Sequence, residues 1–285
     1  MEMTALFNGI AAKAAAVSPA EQEDYLNEDG LLMCHKCHTP KQCRVHVRIA
    51  GVIDEERVVF HLCECEQEAE KERERERERH ERMLRRDKYR HAGFTEKHMQ
   101  QWTFANDDMS NPKLTQAMRN YVEHFAEMKK QGKGLLLYGD VGTGKTYAAC
   151  EVANALIDEG MPVLVTNFAR LCNTLQGMYE GKQQYIDSLN RYVLLVIDDL
   201  AAERDTEYMQ EQVYNIIDAR YRAGLPMIIT TNLSGQEIKN PTSISKKRIY
   251  SRLLERCHPI EVNGADRRRA ALKDSYAEIK NILGM

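Results

Sequence analysis

Eight consecutive residues, Gly139, Asp140, Val141, Gly142, Thr143, Gly144, Lys145 and Thr146, spell GDVGTGKT and fit the phosphate-loop pattern GxxxxGK[ST]. The chemistry this spacing supports is the cradling of a polyphosphate. Glycines let backbone amides turn toward phosphate oxygens, and the amino end of the following helix adds partial positive charge. Lys145 can reach the β and γ phosphates, while the Thr146 hydroxyl can ligate magnesium. The flanks supply the strand and helix that such a loop needs. Leu135 to Tyr138 is a short apolar run, and TYAACEVANALI from Thr146 carries apolar residues at helical spacing. The pattern therefore points to a nucleotide with its magnesium ion.

Further along, YVLLVIDDL is an apolar strand ending in two acids, the Walker B pattern. Asp198 is placed to hold magnesium through water, and Asp199 to orient or deprotonate the attacking water. Aspartate is one methylene shorter than the glutamate more often found at the second position, so slow or trigger-dependent hydrolysis is expected. Glu203 is a weaker candidate for the same role. The strand LPMIITTNL ends at Asn232, a polar tip expected beside Walker B and near the γ-phosphate. In KKRIYSRLLERC, Arg248, Arg252 and Arg256 recur every four residues and share one helical face. That face is either a solvated basic surface or an arginine finger offered to a neighbouring subunit's nucleotide. Arg267 or Arg268, in GADRRRA, can act on the nucleotide within the subunit.

A second constellation lies near the amino end. Cys34 and Cys37 form a CxxC, Cys63 and Cys65 a CxC, and two alternating segments, RVHVRIAG and ERVVFHL, separate them. Knuckle, hairpin and knuckle bring four thiols together in a way that suits a structural tetrahedral zinc site. Cys43, His46 and His61 are possible substitutes for one of the four, and free thiols in a loop are the bland alternative. No general base or activated water is implied.

Other elements must position these residues. The chain has 285 residues, 43% of them hydrophobic, enough for one large domain or a core domain with an appendage. Its formal charge of −3 gives no global attraction to nucleic acid, yet residues 242–285 hold ten Lys or Arg against five Asp or Glu. Any nucleic-acid surface is therefore local. No apolar run is long enough to span a bilayer and no signal-peptide pattern opens the chain, so a cytoplasmic location without membrane contact is expected. With five of eight cysteines crowded into 34–65, the thiols read as reduced. Residues 66–90 carry ten basic and nine acidic side chains without Gly or Pro, which predicts a solvated helical spacer. Before residue 30 one or two short helices are expected, with Ser18 as an N-cap ahead of Pro19.

Taken in order, GDVGTGKT, LLVIDDL, IITTNLS, RIYSRL and NGADRRR resemble the AAA+ helicase loaders of the DnaC/DnaI type over roughly residues 90–270. The Asp-Asp form of Walker B and the lack of a lid domain are shared with IstB-like transposition helper ATPases. The cysteine-rich module followed by a linker is similar to the zinc-binding, helicase-contacting domain of some loaders. The fold this implies is α/β: an AAA+ P-loop NTPase with a helix-flanked parallel sheet and no C-terminal lid, preceded by a small zinc-ribbon-like module. Expected boundaries are 1–66 for the helicase-contacting module, 67–90 for the charged linker and 91–285 for the ATPase.

The resemblance also implies that Lys145, Thr146, Asp198, Asp199, Asn232 and Arg252, with Arg248 as second choice, carry the chemistry of ATP and Mg2+. It implies self-association through ATP-bound AAA+ domains, a hexameric replicative helicase as partner, and single-stranded DNA in an inner channel. Phe168, Arg170, Tyr179 and Lys182 are channel candidates, with core packing the preferred reading for Phe168. Trp102 and Phe104 are expected to pack beside the adenine end. The rivals are a transposition helper acting with a transposase, a DNA-binding module that has lost hydrolysis, and a P-loop kinase. The last is disfavoured because neither an acceptor pocket nor an arginine-rich closing lid is apparent.

Overall fold

A computed structural model describes residues 24–49, 53–201 and 206–267, with isolated positions between 276 and 283. The expected amino-terminal helices at Ser18, Glu203 and Arg268 lie outside the described residues. Two compact units divide the chain, one ending at Glu81 and the other beginning at Arg82.

In the first unit, β1 (Tyr25–Leu26) and β2 (Leu32–Met33) pair antiparallel. Asn27 makes the turn between them by accepting from the amides of Asp29 and Leu31 through its side chain. β3 (Gln42–Ile49) and β4 (Ile53–Phe60) then form the expected hairpin, in register from Gln42 opposite Phe60 to Ile49 opposite Ile53.

Helix α1 (Glu64–Gly93) begins inside the cysteine module and crosses from one unit into the other. Along it, Glu70 meets Arg73 at 3.3 Å, and Glu72 meets Arg75 at 3.4 Å and Arg79 at 2.9 Å. Exposed pairs of this kind each contribute only about 0.3–0.5 kcal/mol, so helix-forming residues without Gly or Pro carry α1 as much as its ion pairs do.

The second unit is built on a five-stranded parallel sheet ordered β6-β7-β8-β5-β9. These strands are β5 (Gly134–Tyr138), β6 (Val163–Asn167), β7 (Leu194–Leu200), β8 (Met227–Thr231) and β9 (Cys257–Glu261). Their nearly continuous apolar runs follow from burial on both faces. Leu136, Leu195, Ile197 and Ile229 face one layer of helices: α5 (Phe168–Gln176), α7 (Glu207–Arg222) and α9 (Ile244–Arg256). Leu135, Leu137, Leu194, Val196 and Ile228 face the other, α2 (Pro112–Glu123), α3 (Phe125–Gln131) and α4 (Lys145–Asp158).

One element differs from the sequence reading. Phe168 to Asn190 reads as a single helical stretch, but the chain breaks it into α5 and α6 (Lys182–Ser188), followed by a short 3-10 turn. Gly177 caps the first piece and Gly181, at φ 76°, opens the second, so the residues between them form a loop tip. α8 (Gly235–Lys239) completes the set, opened by a capping box between Ser234 and Glu237.

Candidate nucleotide site and cysteine centre

Crevices at the carboxyl ends of parallel strands are the natural ligand sites of such sheets, and the phosphate loop, Asp198, Asp199 and Asn232 all lie at those ends. The loop needs its glycines. Gly139 has φ 130° and Gly144 φ 96°, and a side chain at Gly139 would meet Val262 O at 2.7 Å. Lys145 is buried, and its ammonium is held over the loop by Gly139 O at 2.9 Å and Asp140 O at 2.6 Å.

The loop is coupled directly to Walker B. Thr146 Oγ1 donates to Asp198 Oδ1 at 2.8 Å, and Thr230 Oγ1 donates to the same oxygen. Burial pushes the Asp198 carboxyl above its ordinary range, and these two hydroxyl donors pull it back. Asp199 is half-buried, and Asn232 Nδ2 reaches its Oδ1 at 3.5 Å, the outer limit of a hydrogen bond. A cavity of about 200 Å³ joins Lys145, Thr146, Asp199 and Asn232 to Trp102 and Arg267. A wider cleft of about 620 Å³, at the amino ends of β5 and β9, contains none of the phosphate-loop residues.

Trp102 and Phe104 both pack against the apolar layer of α2 and α4. Trp102 stacks on Tyr147, ring centroids 5.6 Å apart, and Asn154 Nδ2 fixes its carbonyl at 2.9 Å. Phe104 also lies under the Arg119 guanidinium, 4.6 Å from ring centroid to carbon. Of the two arginines expected to act within the subunit, Arg267 reaches the cavity. Its amide donates to Gly142 O at 3.0 Å, its guanidinium covers Gly144, and Asp108 holds its far end at 3.3 Å.

The arginine face of α9 is placed differently from one position to the next. Arg248 is exposed, whereas Arg252 is half-buried against α7, with Nη1 2.7 Å from Asp218 Oδ1 and its guanidinium 4.5 Å from the Tyr214 ring centroid. Arg256 covers Tyr221. None of the three lines the subunit's own nucleotide cavity. Among the channel candidates, Phe168 is a core residue and Tyr179 is fully exposed on the tip between α5 and α6. Arg170 is also exposed, and Lys182 lies 5.5 Å over the Tyr208 ring.

In the first unit, one sulfur from each of Cys34, Cys37, Cys63 and Cys65 lies within 4.8 Å of the others. Cys34 and Cys65 are 3.6 Å apart and Cys63 and Cys65 3.3 Å, close to the roughly 3.8 Å between thiolates of a tetrahedral zinc site. Cys43 stands on β3 opposite Val59, and neither it, His46 nor His61 joins this group among the described residues. Hydrogen bonds from Thr39 and the Cys65 backbone bring the Cys37 thiol down to about 5, toward the thiolate a metal requires, while burial pushes Cys63 up. The four thiols are thus placed to hold a metal ion.

The model of the IstB-like ATP binding protein family matches residues 57–275. The chain belongs to that family. It is similar to the replicative helicase loader DnaI of Bacillus subtilis, 30% identical over 183 residues, which make up 58% of this chain and 58% of DnaI. The chain thus matches little more than half of that relative's length. A putative ATP-binding protein in an insertion sequence of Mycobacterium tuberculosis is 28% identical over 171 residues, 58% of this chain and 67% of that protein. The crystal structure of DnaI superposes with a TM-score of 0.52 at 24% identity, covering 63% of this chain and 98% of that one. These comparisons agree with the AAA+ P-loop architecture of the second unit.

Sequence reasoning missed two residues of the site. Tyr147 follows the P-loop threonine directly and carried no signal of its own. Thr230 was visible only as part of TTN, where the asparagine drew attention away from it.

Proposed function

We propose that this chain is an ATPase that loads a ring-shaped replicative helicase onto single-stranded DNA through ATP-gated oligomerisation. The observation that carries the reading is the Thr146–Asp198–Thr230 junction, which ties the phosphate loop to an acidic pair in a chain akin to a helicase loader. In this scheme the amides of Gly139 to Thr146 and the Lys145 ammonium bind the triphosphate. Thr146 and Asp198 would hold magnesium, which when bound neutralises charge on the phosphates. Asp199 orients or deprotonates the attacking water, with Asn232 helping to place it. Arg252, or in second place Arg248, reaches the nucleotide of a neighbouring copy. Hydrolysis is slow until DNA or a partner triggers it.

The segments divide as 1–66 for a zinc module that grips the helicase, 67–90 for a charged spacer and 91–285 for the ATPase, in a cytoplasmic protein. No helix among the described residues is long and apolar enough to cross a membrane. Zinc is expected at about one ion per chain in protein purified without chelator, and Cys34→Ser should abolish it. Metal analysis showing a small fraction of that content in wild type would remove the zinc site.

Tyr179 supplies the DNA test. Because it packs on nothing, Tyr179→Ala should leave the melting temperature unchanged while weakening single-strand binding about 5- to 150-fold, the range for loss of one stacked base. Stimulation of ATP turnover by single-stranded DNA should fall in parallel. Unchanged DNA affinity would separate this loop from the channel.

A second reading, a transposition helper acting with a transposase, is favoured by the insertion-sequence relative and by the family itself. The two differ in the partner retained from cells.

A further inference from the structure

The pairing of β7 with β8 slips at the acidic pair. Ile197 stands opposite Ile229 and Leu200 opposite Thr231, so Asp198 and Asp199 together face Thr230 alone. This is a bulge, two residues against one. Asp199 takes up the extra length at φ 54°, the left-handed region that side chains other than glycine enter uncommonly, and Ala201 follows at φ 72°. Thr230 is wholly buried. Its hydroxyl donates to Asp198 Oδ1 and accepts from the Asp199 amide at 3.0 Å. A single hydroxyl therefore fixes the side chain of one acid and the backbone of the next.

We infer that Thr230 is a positioning residue for this acidic pair, locking Asp198 toward Thr146 while holding Asp199 in the bulge that brings it into the wall of the nucleotide cavity. The inference rests on the reading of this site as an ATP-hydrolysing one. Its second consequence concerns reach. A shorter acid was expected to reach water less well and so to hydrolyse slowly, but here the backbone advances the residue, standing in for the missing methylene. A glutamate at 199 would then overshoot.

Three variants of the full chain test this. Thr230→Val keeps the volume and removes the hydroxyl, and Thr230→Ser restores the hydroxyl. In Thr230→Val, the tightening of a non-hydrolysable ATP analogue by magnesium should shrink about 10- to 100-fold, as when an outer-shell partner is lost. Its magnesium-free affinity should stay within about threefold of wild type, and kcat should fall with little change in KM. Thr230→Ser should recover both properties. Asp199→Glu should turn over more slowly than wild type.

A Thr230→Val protein with an unaltered magnesium effect overturns the inference. So does one that loses melting temperature, magnesium-free binding and turnover together without rescue by serine, since that marks a purely structural threonine. Faster turnover by Asp199→Glu overturns the argument on reach. If wild type binds the analogue with its magnesium effect but never hydrolyses ATP, the hydrolytic reading fails while the magnesium readout still decides on Thr230. If wild type binds no nucleotide, both fall.

Discussion

Arg252→Ala should lower ATP turnover about 10³-fold or more while leaving nucleotide binding nearly intact. The expectation follows from where the guanidinium is and where it is not. Arg252 does not line the cavity formed by Lys145, Thr146, Asp199, Asn232 and Arg267, so its loss is expected to leave binding by its own subunit's phosphate loop nearly intact. It is held on the surface of α9 against α7 by Asp218 and Tyr214, with its side chain still 29% exposed. A cation fixed in this way pays little reorganisation when a neighbouring copy brings its γ-phosphate alongside. Arginines supplied in trans contribute about 10³–10⁵ in rate, equivalent to roughly 4–7 kcal/mol.

Mixing supplies the decisive control. Arg252→Ala and Lys145→Ala are each inactive alone for different reasons, and in a mixed assembly one subunit has an intact phosphate loop while its neighbour has an intact arginine. Turnover should return. A mixture that assembles and remains inactive would show that the site is not shared, and the same pattern for Arg248→Ala, with Arg252→Ala near wild type, would transfer the role to the exposed residue. Arg222 Nε stays on Asp218 Oδ2 at 2.6 Å, but the oxygen that faces Arg252, Oδ1, is buried and loses its cation in the variant. The melting temperature is therefore measured beside the kinetics, and recovery of turnover in the mixed assembly separates a kinetic defect from a folding one.

The largest stability effect is expected at Arg220. This side chain is 1% exposed and meets no carboxylate among the described residues; instead it donates to carbonyls of Tyr192 at 2.8 Å, Pro226 at 2.9 and 3.2 Å, and Leu189 at 3.4 Å. Burial lowers its pKa to about 10, which still leaves it charged at neutral pH. The guanidinium fork ties the turn entering β7 to the turn entering β8, the two strands that deliver Asp198 and Thr230. Arg220→Ala removes the guanidinium from the buried carbonyls of Tyr192 and Pro226, while Leu189 O keeps the Tyr192 amide at 3.3 Å, and it opens a cavity, at a cost of about 3–5 kcal/mol. Arg220→Lys should recover only part of this, since one ammonium cannot span the same set. Trp102, the sole tryptophan, lies in the second unit and reports its unfolding by fluorescence in a denaturant titration. A loss below about 1 kcal/mol for the alanine variant would mean that those carbonyls find water or other donors.

Much of this molecule was legible from its residues because the motifs combine special backbone needs with rare spacing. GDVGTGKT demanded a strand before it and a helix after it, and β5 and α4 are where that requirement placed them. The apolar run into Asp198 and Asp199 announced β7, and Asn232 directly follows β8, the strand beside it, as the order of motifs implied. CxxC and CxC converged because the alternating segments between them could only be a hairpin.

What escaped was governed by tertiary context. Nothing in IDDL marks a bulge, since periodicity cannot register one extra residue whose partner strand is read elsewhere. Thr230 gained its role only when β8 came to lie beside β7. The break between α5 and α6 did have a signal, two glycines four residues apart, but the apolar periodicity on either side overrode it. Helical spacing alone made Arg248, Arg252 and Arg256 equivalent, and the packing of α7 against α9 gives each a different setting.

Whether this chain acts on a ring helicase, as proposed, is tested most directly by one experiment. Tagged protein would be recovered from its own cells in the presence of a non-hydrolysable ATP analogue, and the retained proteins identified by mass spectrometry. The account expects a hexameric replicative helicase, lost when residues 1–66 are deleted. Recovery of a transposase with no helicase would contradict it and establish the transposition reading in its place.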